Sequence, residues 1–388
     1  MKVREQLATL YEQKGKHEKS LELAKSIPVA VRAERLLPVM VSDHLGLNQP
    51  EEAQKIVREV LRKAPENPEL VPQLASIFLR QGMAGDAVEL LHIAEPHQKI
   101  TASFLAALAR AQSATGQADL ARVTIARALE LDPANPEALM EKARLDGNAG
   151  DWKTATESLQ KILKVAPPRA SVLRNLVFAA LQGDDLQMAH DAALDLYESN
   201  PDSPESALAL SVVLVRASHW GEAKPLLEKV LAARPDDKRA QLALGIVQYN
   251  LGAVDQATQL LTASLGQGAA DSEARHMLGL EAKQRGDIPG AVHEMELSLA
   301  DGLKRPEALA SLGQLYLQLN EPEKARTILE QAVDKRPNDA QGHYQLGLAY
   351  RKLNLMDQAR EQMEIFPKLS IRKIPQPTGE SPDSQPIK

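Results

Sequence analysis

The chain has 388 residues, 44% of them apolar but only 3% aromatic, a balance that suits helices packed through alanine and leucine. A formal net charge of −6, with no local cluster of basic residues to reverse it, sets long-range electrostatics against nucleic acid and anionic membranes. The absence of cysteine excludes disulfides and thiolate metal sites and leaves the redox compartment open.

A small residue recurs at Ser20, Ala53, Ala87, Ala121, Ala155, Ala189, Ala223, Ala257, Ala291, Ala325 and Ala359, always 34 residues apart except for a first interval of 33. A fixed period of that size marks a solenoid built by stacking one supersecondary unit. Twelve residues earlier stands a second small or β-branched series, from Ala8 and Val41 through Ala75, Val177 and Ser211 to Gly245, Gly279, Gly313 and Gly347. Four residues later runs an apolar series, from Ala24 and Val57 through Leu159, Ala193 and Leu261 to Leu329 and Met363.

Each repeat reads as two helices, because apolar positions keep three-and-four spacing and a breaker sits midway. That breaker, five residues before the small residue, is Gly15, Gly82, Gly116, Gly150, Gly252 or Gly286, alternating with Asn48, Asn320 and Asn354. Both residue types tolerate the left-handed conformation that closes a helix. First helices open on Asn67-Pro68-Glu69, Asn135-Pro136-Glu137 and Ser203-Pro204-Glu205, where the first residue caps, proline presets the turn and glutamate favours the positive helix end. Prolines such as Pro65, Pro133, Pro167 and Pro337 close the repeats. The spacing predicts an all-α solenoid over residues 1–371, with repeats starting near 1, 34, 68, 102, 136, 170, 204, 238, 272, 306 and 340.

Along the chain, Met1-Lys2-Val3-Arg4-Glu5 lacks the apolar core of a secretion signal, and the longest apolar run, 207–215, is too short to span a membrane. A cytoplasmic location without membrane insertion is expected, or a periplasmic one if the start is a truncation, since the first repeat begins at residue 1 with no capping segment. Pro38 and Pro72 fall inside first helices, so the early repeats should start late or irregularly. His92, Glu95 and His97 come nearest to a metal grouping, but Pro96 breaks the helix between the histidines and no metal site is expected. Lys142 occupies the one polar slot in a series of core leucines, which calls for its nitrogen to snorkel to the rim or to pair with Asp146 one turn later. His219-Trp220 stands in a midpoint turn in place of the usual glycine. No phosphate loop, nucleophile elbow or His-Glu-x-x-His pair occurs, so neither an enzyme nor a cofactor is expected. From Arg372, Pro375, Pro377, Pro382 and Pro386 lie among Gly, Ser and Asp without apolar periodicity, and 372–388 reads as a disordered tail.

The repeats at 306–339 and 340–371 carry the fullest pattern: Leu312, Gly313, Tyr316, Ala325, Leu329, Ala332 and Pro337 in the first, Leu346, Gly347, Tyr350 and Ala359 in the second. The chain thereby resembles the tetratricopeptide repeat family, although the signature tryptophan is replaced throughout, for example by Leu139, Leu173 and Leu309. The resemblance implies a right-handed superhelix of stacked antiparallel helix pairs acting as a non-enzymatic protein-interaction scaffold. It implies a concave groove lined by first helices, with positions two, five, nine, twelve and thirteen facing inward. Mapped onto this sequence, those positions give an apolar stripe of Phe178, Leu208, Val212, Leu242, Ile246, Tyr249 and Leu280, flanked by Arg174, Arg216 and Arg239, fit for a peptide or an amphipathic helix. Self-association would cover the same stripe. The other role that the resemblance offers is a regulatory or assembly arm of a larger bacterial envelope or polysaccharide-export protein. No repeat pairs lysine at position five with asparagine at position nine, so capture of a chaperone's terminal carboxylate is not expected.

Overall fold

A computed structural model describes residues 2–27, 36–63, 68–97, 99–165, 170–266, 268, 271–303 and 305–371, and among them there are twenty-two α-helices and no strand. Asn67, Pro65, Pro167 and the tail at 372–388 lie outside the described residues.

The chain divides into two compact units at 199/200. The first holds α1 (Lys2–Gln13), α2 (His17–Lys25), α3 (Leu37–Gly46), α4 (Pro50–Lys63), α5 (Leu70–Arg80), α6 (Ala84–Ala94), α7 (Ala102–Ala114), α8 (Ala118–Leu131), α9 (Pro136–Asn148), α10 (Trp152–Val165), α11 (Ala170–Gln182) and α12 (Leu186–Ser199). The second holds α13 (Pro204–Arg216), α14 (Trp220–Ala233), α15 (Lys238–Asn250), α16 (Val254–Ser264), α17 (Asp271–Gln284), α18 (Ile288–Ala300), α19 (Pro306–Gln318), α20 (Pro322–Lys335), α21 (Ala340–Lys352) and α22 (Met356–Ile371). Within each unit an odd-numbered helix packs on the even-numbered helix that follows, and successive pairs stack on one another.

The recurrent small residue is what lets the two helices of a pair meet. Ala53, Ala87, Ala121, Ala189, Ala223, Ala257, Ala291 and Ala325 are all fully buried. Ser20, equally buried, satisfies its hydroxyl by donating to the Ala8 carbonyl across the pair at 2.9 Å. The series twelve residues earlier meets the later apolar series face to face. A Cβ built on Gly245 would stand 2.8 Å from Leu261 Cγ, and one on Gly279 would stand 2.7 Å from Met295 Cγ. At Val177 and Ala193 the order is reversed, with the larger residue at the first position and the smaller at the second, so the volume exchanged across the pair is compensated there.

The midpoint turns behave as the breakers require, and at two of them the residue type differs from glycine or asparagine. Asp184 and Ser218 take positive φ, 59° and 62°, beside the glycines and the three asparagines. Ser218, not His219, therefore replaces the usual glycine. His219 precedes α14 with φ −86° and makes no capping hydrogen bond. A left-handed serine costs on the order of 1 kcal/mol, so Ser218→Gly should raise stability by about that much, read as a higher urea midpoint.

The early prolines act through late helix starts. Pro38 sits in the first turn of α3, and α5 begins only at Leu70, which puts Pro72 in its first turn, where a missing N–H leaves no bond unmade. At α9 the cap forms as expected, with Asn135 Oδ1 accepting from the Ala138 N–H at 3.0 Å, and Ser203 caps α13 in the same way. Lys142 is half-buried and takes the pairing route, with Nζ donating to Asp146 Oδ2 at 2.5 Å.

In the second unit the signature tyrosines tie successive repeats together. Tyr316 donates to Glu296 at 2.5 Å and Tyr350 to Glu330 at 2.8 Å, so both bonds join position eleven of one repeat to position twenty-five of the repeat before it. Burial together with the facing carboxylate holds both phenols above their ordinary range, Tyr350 at about 12. Arginines that cap the ends of second helices reach back to acids at the start of the same repeat, Arg234 to Glu205 and Arg336 to Glu307.

Candidate functional site

First helices α3, α5, α7, α9 and α11 of the first unit leave between them a groove of about 960 Å³. Its polar wall comes from residues that cannot be buried on a neighbouring helix. Arg80, Arg110 and Arg144 project from α5, α7 and α9, and Glu69 and Glu137 stand where α5 and α9 begin. Arg144 is committed: its Nε donates to Glu141 at 2.9 Å and a second nitrogen reaches the other oxygen of that buried carboxylate. Arg80 and Arg110 are exposed and have no carboxylate partner among the described residues. Burial pushes the Glu69 carboxyl up, and the like charge of Glu137 adds to it, against a hydrogen bond from Ser103.

The apolar end of the groove is built on a glycine. Gly147 leaves the space that the Trp152 ring fills, since a Cβ there would come within 2.8 Å of Cζ3. Trp152 in turn meets Phe178 edge to face, with centroids 5.7 Å apart and planes at 84°. Phe178 is held there with 58% of its surface exposed, beside Met140 and Asn175, whose amide donates to the Met140 sulfur at 3.2 Å. An aromatic ring that rigid and that open is a ready anchor point for an incoming side chain.

The residues expected to form a continuous stripe are divided by the unit boundary. Phe178 lines the groove of the first unit, while Arg174 on the same helix is exposed but does not line it. In the second unit Leu208 is only 6% exposed, so it belongs to the core rather than to a wall. Val212 is half-buried, and Arg216 and Arg239 are exposed. Leu242, Ile246, Tyr249 and Leu280 gather against the buried cluster of Ala257, Leu261 and Met277, each half-buried. Their inward positions are thus partly covered by packing on α16 and α17 and partly open. The groove residues missed from sequence, Arg80, Arg110 and Arg144, had a visible signal: polar side chains at inward positions of consecutive repeats.

Neither metal nor membrane chemistry gathers in this region. His92 Nδ1 lies 3.8 Å from Glu95 Oε2, and Glu95–His97 form a short 3-10 turn. Among the described residues no group of three metal-binding side chains assembles, and no helix is long and apolar enough to cross a membrane.

No curated protein matches the sequence. Among solved structures, the human IFIT1 dimer with PPP-AAAA superposes with a TM-score of 0.51 at 15% identity, covering 94% of this chain and 89% of that one. The Cut9–Hcn1 complex of the APC/C gives 0.47 at 15% identity, over 95% and 88% of the two chains. YrrB, described as a tetratricopeptide repeat protein with an unusual peptide-binding site, gives 0.43 at 19% identity over 51% of this chain and 99% of its own. Sequence profiles of the tetratricopeptide repeat match residues 102–135, 214–280, 276–340 and 311–367. With the 34-residue register, the paired helices and these profile matches in agreement, the chain belongs to the tetratricopeptide repeat family.

Proposed function

We propose that the chain is a protein-interaction scaffold whose binding site for an extended peptide is the groove of the first unit. The observation that carries this is the continuity of that groove across five consecutive first helices, with an exposed, braced aromatic at one end and unpaired cations along the wall. Its volume suits several residues of extended chain. Its titratable groups favour binding over catalysis, because Glu141 is engaged with Arg144 and Arg80 and Arg110 stand free on the wall.

The test fills the groove from exposed positions that carry no core packing. Gln73→Trp/Asn175→Trp adds bulk at two exposed lining residues. Partners retained from a lysate by the native chain should be lost by this variant at unchanged helical circular dichroism. An identical partner set on both would overturn the groove as the site. Leu242→Glu/Ile246→Glu is a poor substitute as a probe, since both side chains pack on the Leu261 cluster and the variant would lose stability as well as surface.

A further inference from the structure

We infer, resting on that groove as the binding site, that its occupant is an extended acidic peptide with one bulky apolar residue about six positions from its nearest acidic residue. The free cations set the charge. Arg80 and Arg110 lie on adjacent first helices of the groove, exposed and without a carboxylate, whereas the groove's third arginine is already neutralised by Glu141. An Arg fork left open in a concave wall is suited to a carboxylate, which it can bind through two parallel hydrogen bonds.

The apolar anchor fixes the second element. Phe178, braced by Trp152 and flanked by Met140, offers a flat face to a leucine, methionine or aromatic side chain, and it can supply ring stacking as well as burial. The spacing follows from the repeat. Arg110 is on α7 and Phe178 on α11, two first helices further on, and packed helices are roughly 10 Å apart, so the two features are roughly 20 Å apart. An extended chain advances about 3.3 Å per residue, which puts about six residues between acid and anchor. Side chains on the opposite edge of such a peptide would face Glu69 and Glu137, whose like charges disfavour further acids there. Arg80 stands one first helix further from Phe178 than Arg110 does, so a second acid should fall about three positions beyond the first rather than in an unbroken run.

The experiment is a decapeptide display library selected on the full chain, with the charge variant Arg80→Glu/Arg110→Glu and the groove-filling variant Gln73→Trp/Asn175→Trp as counter-targets. The expected outcome is enrichment of peptides carrying acids about three positions apart and a bulky apolar residue about six positions from the nearer of them. These peptides should lose at least tenfold in affinity on either variant and weaken as salt rises. Selected peptides that lack acids, yet are lost on the groove-filling variant, would overturn the acidic class while leaving the groove as the site. Peptides that bind the groove-filling variant as well as the native chain would overturn both. A Phe178→Ala variant that binds the selected peptides unchanged would remove the apolar anchor from the inference.

Discussion

Gly245→Val should lower the stability of the second unit by about 2–3 kcal/mol, because the added methyls enter a space already held by Leu261. Leu261 is fully buried and its backbone nitrogen lies 3.3 Å from the position of the new Cβ, so neither side chain nor helix can simply withdraw. Leu261→Ala alone should cost about 3 kcal/mol through the cavity it leaves. The double variant should cost clearly less than the sum of the two, since it reproduces the volume pairing that Val177 and Ala193 already have at the same register positions. Urea midpoints of the four proteins measure the coupling. Strict additivity would show that the two series are not volume partners.

His276 should make the second unit acid-sensitive. The ring lies on α17 at 9% exposure with its Nδ1 unpartnered, and burial, aided by the nearby Arg305 and opposed by Glu307, holds it down at about 4. An ordinary histidine titrates near 6.5, so as pH falls the unfolded chain takes up the proton before the folded one. Stability from this group is complete above about pH 6.5, drains between 6.5 and 4, and is then fully lost, a change of about 3 kcal/mol. His276→Leu, the residue type found at the equivalent positions 208 and 242, removes the titration without emptying the site. Urea midpoints for the native chain should fall from pH 7 to pH 5 more steeply than those of His276→Leu. Parallel curves would mean that the ring takes up its proton as readily in the folded chain as in the unfolded one.

The helix pairs were legible because each repeat repeats its own rules: a buried alanine, a left-handed turn residue and an apolar partner at fixed offsets. At Asp184 and Ser218 the register rather than the residue type imposes the positive φ, so neither glycine nor asparagine marks those two turns in the sequence. The location of the groove was the harder matter. Apolar residues at inward positions do not by themselves mark a binding wall: Leu208 is core, and Leu242, Ile246 and Leu280 are half-buried against neighbouring residues, as apolar side chains are wherever a neighbour is within reach. The wall that stays open is marked instead by side chains too polar to pack. Only Phe178 belonged to both descriptions, and what distinguishes it, the ring of Trp152 seated on Gly147, is a contact between residues on different helices that periodicity alone does not reveal.

The tyrosine ties have a consequence for how such a chain changes length. Tyr316 bonds Glu296 and Tyr350 bonds Glu330, two bonds of identical offset, displaced by one whole repeat. Excision of 306–339 would remove Tyr316 and Glu330 together and leave Tyr350 facing Glu296 in the same geometry. Arg336 and Glu307 would leave as a pair as well. Unequal crossing-over in units of 34 codons can therefore shorten or lengthen this part of the protein and keep these ties, whereas a deletion of any other length between Glu296 and Tyr350 would put a tyrosine out of register with the glutamate it faces across the scar.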